Sequence, residues 1–319
     1  MYINWLNNHI MITRRKALAV MALGTVATRF PASLVSGQTD GPEGAGSTFK
    51  FSLNTSTIQG EARDLISSVR IAAEAGYDGV EIWIRDLTRA LVQGIPIGQI
   101  RDAIQELGIA VVSAIGFAPW LAPGEEGFDQ MSREMELLSQ IGCKRVAAPP
   151  AGLDPGVPLD LFEAGQKYGR LLELGRETGV MPQLEFWGSS PVLWHMGQVL
   201  MIAAAADDPD VKILPDVYHM FRGGSGFESL KMLNGNMIDL FHMNDYSGNK
   251  PRETQNDADR VYPGDGAAPM NRILGDLSRM GGEKILSLEL FNRDYWNEPP
   301  LQVAQTGLQK MRSLVGAIA

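Results

Sequence analysis

The sequence predicts an α/β fold, a single (β/α)8 TIM barrel, and three observations predict it. Eight short β-rich runs begin 30, 31, 35, 38, 29, 28 and 45 residues apart, close to the roughly 30 residues that one βα unit consumes. Segments with apolar residues at helical spacing lie between them. No shift in composition divides the chain from residue 49 to residue 319. The competing architecture, a doubly wound open sheet, calls for a Gly-x-Gly-x-x-Gly turn after the first strand, and none stands there.

In chain order the expected strands are Phe49 to Leu53, Gly79 to Ile84, Ala110 to Ile115, Arg145 to Ala148, Gln183 to Trp187, Lys212 to Val217, Leu240 to Asn244 and Ile285 to Phe291. Helical spacing marks Glu61 to Ala75, Ile97 to Leu107, Asp129 to Ile141, Leu159 to Thr178 and Met270 to Met280. Several of these are followed by glycine (Gly76, Gly108, Gly142, Gly179), as helix C-termini prefer. The last strand spacing is long because a polar, turn-rich insertion, Tyr246 to Gly266, follows the seventh strand. In a barrel it opens at the catalytic face, where it reads equally as a lid or as a plain surface loop. Its Pro263-Gly264-Asp265-Gly266 run is turn chemistry first and a source of a catalytic Asp265 second.

Ahead of the barrel, Thr13-Arg14-Arg15-Lys16 leads into an apolar run of 11 residues, Ala17 to Ala27, too short to span a bilayer. Small residues near Ala32 and Ser36 form a cleavage zone, and a Gly-rich linker follows. The order resembles a twin-arginine export signal. Residues 1–37 are therefore expected to be a removable leader, with 1–10 an overextended start, 38–48 a linker and 49–319 the barrel. The expected destination is the periplasm, without stable membrane insertion.

Composition narrows the chemistry. A 45% hydrophobic content supports a large core. The net charge of −9 becomes −13 once Arg14, Arg15, Lys16 and Arg29 leave with the leader, which argues against a nucleic-acid partner. Cys143 is the one cysteine, so intrachain disulfides and multi-cysteine metal clusters are excluded. Only four histidines exist, His9, His195, His219 and His242, so a metal site here must be rich in carboxylate.

Such a set is present at the C-terminal ends of the last four strands: Glu185, Asp216, His242 and Glu289, each embedded in apolar neighbours. An unpaired carboxylate there costs several kcal/mol, and a shared cation resolves that cost. The donors suit one divalent metal ion, Mn2+ first, with Mg2+, Co2+ or Zn2+ as alternatives. Trp83, Trp120, Trp187 and Trp194 lie at or just beyond strand ends, where a ring either packs in the barrel or stacks on a sugar face. His195 reads as a helix-start residue or as a substrate contact.

The order Glu, Asp-x-x-His, His, Glu on strands five to eight resembles the xylose-isomerase-like barrel superfamily, over essentially all of residues 49–319. Its members include ketose 3-epimerases, hydroxypyruvate isomerase, inosose dehydratase and, more distantly, endonuclease-IV-type nucleases. The resemblance implies that Glu185, Asp216, His242 and Glu289 ligate the metal and that Glu185 and Glu289 double as acid and base. It implies that His219 contacts substrate, matches Glu81 to a frequent polar position on the second strand, and points to Arg260 as a substrate-binding arginine.

The expected function is a metal-dependent sugar isomerase or epimerase working through an enediolate. A lyase or dehydratase expelling a β-substituent from a keto-sugar or keto-glycoside shares the first step, and a non-catalytic metal-containing sugar-binding protein is the reading of another class. The partner is a small sugar or glycoside, with homo-oligomerisation left open. Export favours free or oxidised sugars and glycosides. The few histidines and the acidic charge set aside the multi-zinc nucleases.

Overall fold

Hydrophobic runs of four to seven residues, separated by amphipathic helices, leave the strands one arrangement: side by side, parallel, with helices outside. The structure, a computed structural model, describes residues 48–59, 64–154 and 156–318. The expected leader lies outside the described residues. The chain divides into Met1–Glu43 and Gly44–Ala319, and the barrel belongs to the second unit.

The strands are β1 (Thr48–Asn54), β2 (Gly79–Trp83), β3 (Ala110–Ile115), β4 (Arg145–Ala148), β5 (Met181–Glu185), β6 (Ile213–Leu214), β7 (Leu240–Met243) and β8 (Glu283–Leu288). Every ladder is parallel, in the orders β3-β2-β1-β8-β7 and β4-β5-β6. A parallel bridge between Asp216 and His242 joins the second set to the first, β3 lies against β4, and β1 pairs β8. The eight strands thus form the curled parallel sheet of a (β/α)8 barrel.

Around them run α1 (Leu65–Ala75), α2 (Ile84–Val92), α3 (Ile97–Glu106), α4 (Glu126–Gln140), α5 (Leu161–Thr178), α6 (Met196–Ala206), α7 (Val217–Arg222), α8 (Met270–Arg279) and α9 (Pro300–Gly316). Gly76 and Gly179 cap α1 and α5 at φ 87° and 75°, a left-handed conformation that side chains with a Cβ resist. Among the described residues no helix is long and apolar enough to cross a membrane.

Five strands, β2, β5, β6, β7 and β8, end earlier than the sequence suggests. Pro215 has no N–H to extend the ladder, so β6 stops at Leu214, although the Pro215 carbonyl still accepts from His242 N–H at 2.9 Å. The eighth strand ends at Leu288, before its acidic residue, and Ile84 opens α2 instead of closing β2. The near-uniformly apolar Met196–Ala206 gives no amphipathic period, which is why α6 is not marked by spacing.

The barrel interior is filled by Trp83, Ile115, Ala147, Leu214, Leu240 and Ile285, and a larger apolar shell lies between strands and helices. At the N-terminal end of the barrel, ion pairs link neighbouring strands. Asp239, just before β7, accepts from Arg145 Nε at 3.1 Å and from Lys212 Nζ at 3.0 Å. Burial would raise the Asp239 carboxyl, but the two cations outweigh it and hold it below its usual range.

Asp239→Ala should therefore lower unfolding free energy by about 1–3 kcal/mol, read from urea denaturation, without changing metal affinity at the far end. Because the folded pKa is depressed, this contribution is present at neutral pH and is lost as pH falls through the folded value. Equal stability of native and variant proteins at pH 7 would show that the pair contributes nothing.

Candidate functional site

The C-terminal ends of four strands converge on one nitrogen atom. β5 ends on Glu185, Asp216 follows β6 across Pro215, His242 is the third residue of β7, and Glu289 follows β8 directly. All four are buried. His242 Nδ1 lies 3.4 Å from Glu289 Oε2, 3.8 Å from Asp216 Oδ2 and 3.9 Å from Glu185 Oε1. It makes no hydrogen bond, and neither does Glu185 Oε2. Ligand atoms of Asp216, His242 and Glu289 lie within 4.8 Å of one another. A buried, unpartnered imidazole nitrogen facing three carboxylates is a hard donor set that fits a divalent metal ion.

The opposite ring nitrogen sets the orientation. His242 Nε2 donates to Glu81 Oε2 at 3.0 Å, and that oxygen also accepts from Asn54 Nδ2 at 2.9 Å and Ser287 Oγ at 2.8 Å. Strand register assembles this cluster, since Asn54 pairs with Glu81 and Ser287 with His242. With Nε2 committed as a donor, it is Nδ1 that is left facing the carboxylates. Asn54 reaches further: Nδ2 also donates to Glu289 Oε1 at 3.1 Å, and Oδ1 accepts from Trp83 Nε1 at 3.0 Å.

The Asp-x-x-His spacing is a helix start. Asp216 caps α7 by accepting from His219 N–H at 2.7 Å, which brings the imidazole back over the site. Asp216 Oδ2 accepts from Asn244 Nδ2 at 2.7 Å and from Arg260 Nη1 at 3.1 Å. Arg260 enters from the insertion after β7 and is almost fully buried. It also donates to Glu289 Oε2 at 2.8 Å and Asp257 Oδ1 at 2.6 Å, and its Nη2 stands 3.0 Å from His219 Nε2. Gly188 N–H donates to His219 Nδ1 at 3.2 Å. Burial pushes His219 down to about 4, so the ring is neutral and its single lone pair serves one of these two donors at a time.

The carboxyls are shifted in opposite directions. Burial, reinforced by Glu289, Glu81 and Asp216, pushes Glu185 up to about 8. Burial raises Glu289 to about 7, against the pull of His242 and Arg260. For Asp216, burial is outweighed by Arg260 and His219, and the carboxyl falls below its usual range. Burial would lower His242, yet Glu289 and Glu81 push it up to about 10. The field that holds a proton on Nδ1 is the field a metal cation needs.

Three expected substrate contacts, and the catalytic alternative for Asp265, lie elsewhere or act differently. Trp120 is fully buried, with its Nε1 donating to Pro149 O at 2.6 Å and its ring against Tyr168, so it is packing outside the barrel and offers substrate no face. His195 caps α6, accepting from Gly197 N–H at 2.9 Å. Glu81 has no exposed surface and holds His242 from behind. Asp265 pairs with Lys310 at 2.5 Å on the outside of its turn. His219, Arg260 and, at the mouth, Trp187 are placed with or above the carboxylates. Asn54, Asn244 and Ser287 were not singled out from the sequence, although each occupies the strand-end position that pairs with, or lies two residues from, a marked acid or histidine.

A family model described as xylose isomerase-like TIM barrel matches residues 69–314. An inosose isomerase of Bacillus velezensis is 23% identical over 262 residues, covering 80% of this chain and 93% of its own. A 3-dehydroshikimate dehydratase of Pseudomonas putida is 25% identical over 276 residues, 82% of this chain and 41% of its own length. Among solved structures, an IolI protein with a bound zinc atom superposes with a TM-score of 0.76 at 23% identity, covering 85% of this chain and 99% of that one.

Glu81→Gln, which keeps the shape but removes the charge behind His242, should weaken Mn2+ binding about 10–100-fold in a titration followed by electron paramagnetic resonance. His242→Ala should abolish it. Native Mn2+ affinity in Glu81→Gln would remove Glu81 from the metal-supporting role.

Proposed function

The chain belongs to the xylose isomerase-like TIM barrel family, and on that premise we propose that it is a divalent-metal-dependent sugar isomerase or epimerase that removes a proton next to a carbonyl. The observation that carries this reading is the approach of Glu185 and Glu289 to one buried imidazole nitrogen from β5 and β8. These strands stand three places apart around the barrel, so the two carboxyls flank the space between them from different sides. A keto-sugar held there can lose a proton from one face to give a planar enediolate, which regains a proton on the other.

When bound, a divalent ion held by Glu185, Asp216, His242 and Glu289 supplies Lewis-acid polarisation of the substrate carbonyl. Mn2+ is the proposed ion, and the zinc-bound relative favours keeping Zn2+ beside it. Glu289, which accepts from both Arg260 and Asn54, is the group better held as a carboxylate, and it takes the proton. Glu185, whose Oε2 has no partner, stands across from it and returns one. Arg260 and neutral His219 orient substrate oxygens from the insertion and from α7.

A second reading is favoured by the dehydratase relative: elimination of a β-substituent from the same carbanion. We propose further that residues 1–37 export the protein to the periplasm, where free sugars, oxidised sugars and glycosides are the available substrates.

The shared step is tested by solvent exchange. Incubated with keto-sugars in heavy water, the Mn2+-loaded protein should incorporate deuterium next to the carbonyl. Chelation should stop exchange, and Glu185→Gln and Glu289→Gln should each slow it by about 10²–10⁴-fold. Absence of exchange with every keto-sugar tried would overturn both readings. Export is tested separately: Arg14→Lys with Arg15→Lys should leave the protein in the cytoplasm, and an unchanged periplasmic yield would reject a twin-arginine route.

A further inference from the structure

Three acidic residues of the site are followed two positions later by an aromatic ring: Glu81 by Trp83, Glu185 by Trp187 and Glu289 by Phe291. In β2 Glu81 and Trp83 face the same way, and the ring contacts place Trp187 and Phe291, just beyond β5 and β8, in the same layer toward the mouth.

Phe117, just beyond β3, ties this layer together. Its ring centroid lies 5.5 Å from that of Trp83 and 5.9 Å from that of Trp187, and Trp83 in turn lies 6.2 Å from Phe291. Trp83 and Trp187 leave β2 and β5, which are three strands apart. A ring touching both therefore lies across the barrel mouth. Phe117 nevertheless keeps 44% of its surface exposed.

The layer is joined to the acidic centre at two points. The Trp83 indole N–H is taken by Asn54, which also holds Glu81 and Glu289, and the Phe291 ring lies 5.1 Å from the Arg260 guanidinium. The site thus has a charged floor and, one layer above, an apolar face.

Resting on the reading of the floor as an enolising sugar site, we propose that the substrate is a glycoside. Its keto-sugar ring occupies the carboxylate layer, and the second ring that it carries stacks on Phe117 and Trp187. A free monosaccharide fills only the floor and leaves Phe117 in water, whereas a second ring with a flat apolar face covers it. Both an aromatic aglycone and the CH face of another sugar have that chemistry.

The test is calorimetric titration of the Mn2+-loaded protein with glucose, phenyl β-D-glucoside and cellobiose. Phenyl glucoside should bind about tenfold tighter than glucose. Phe117→Ala should reduce that advantage to none while leaving glucose affinity and thermal midpoint unchanged, and Phe117→Trp should retain it. Cellobiose following phenyl glucoside assigns the subsite to either kind of ring, and cellobiose following glucose assigns it to aromatic aglycones. Equal binding of all three ligands, no measurable binding of any, or a preference that survives Phe117→Ala overturns the proposal. These unoxidised glycosides need no proton removal to bind. A failed deuterium exchange with an intact ring preference therefore sinks the enzymatic reading alone, and exchange without the preference sinks the subsite alone.

Discussion

Four carboxyl groups, Glu81, Glu185, Asp216 and Glu289, are buried around the imidazole of His242, and the cost of keeping them there organises the upper half of the barrel. Buried carboxylates persist only when paired or hydrogen-bonded. Glu81 is satisfied by three donors on one oxygen, Asp216 by a helix N-terminus, an amide and a guanidinium, and Glu289 by an amide and the same guanidinium. Glu81 Oε1, Glu185 Oε2 and the inner nitrogen of His242 keep no partner. Of these, the nitrogen of His242 and the Glu185 carboxyl face each other where metal and substrate chemistry would use them.

That arrangement separates stability from chemistry along the barrel axis. At the N-terminal end, Asp239, Arg145 and Lys212 tie β4, β6 and β7 together, and the apolar plug of Ile115, Leu214, Leu240 and Ile285 fills the middle. Above it lie the carboxylates and then the aromatic layer. Barrels tolerate this division because their catalytic face is built from strand ends and loops that the lower core does not need.

The insertion after β7 is neither a free lid nor a bland surface loop. Asp245 accepts from the backbone N–H groups of Tyr246, Gly264, Gly266 and Ala268, so one buried carboxylate gathers both ends of the loop. At Gly266 a Cβ would stand 2.3 Å from Asp245 Oδ1, so the close approach requires glycine. Anchored there, the loop delivers Arg260 into the site and stacks Tyr262 on Tyr295. The Pro-Gly-Asp-Gly run, read as a turn, is the part of the anchor where Asp245 takes its backbone partners.

The sequence by itself determined the fold class and the acidic set. Near-regular strand spacing reports one βα unit per step, and a carboxylate amid apolar residues is costly wherever the chain takes it, so both signals are local. Glu185, Asp216, His242 and Glu289 were legible for that reason, and the acids of their strands carried the aromatic partners two residues on. Other residues depended on what faces them. Glu81 became the support of His242, Trp120 a packing residue and His195 a helix cap, each because of a neighbour brought from far along the chain. Asn54 and Ser287 gained their places through register, and Phe117 through the curvature that brings the ends of β2 and β5 within reach of one ring. Residue type and spacing fix what a side chain can do, but which partner it meets is decided only when the sheet curls into its barrel, because that contact is a property of tertiary geometry.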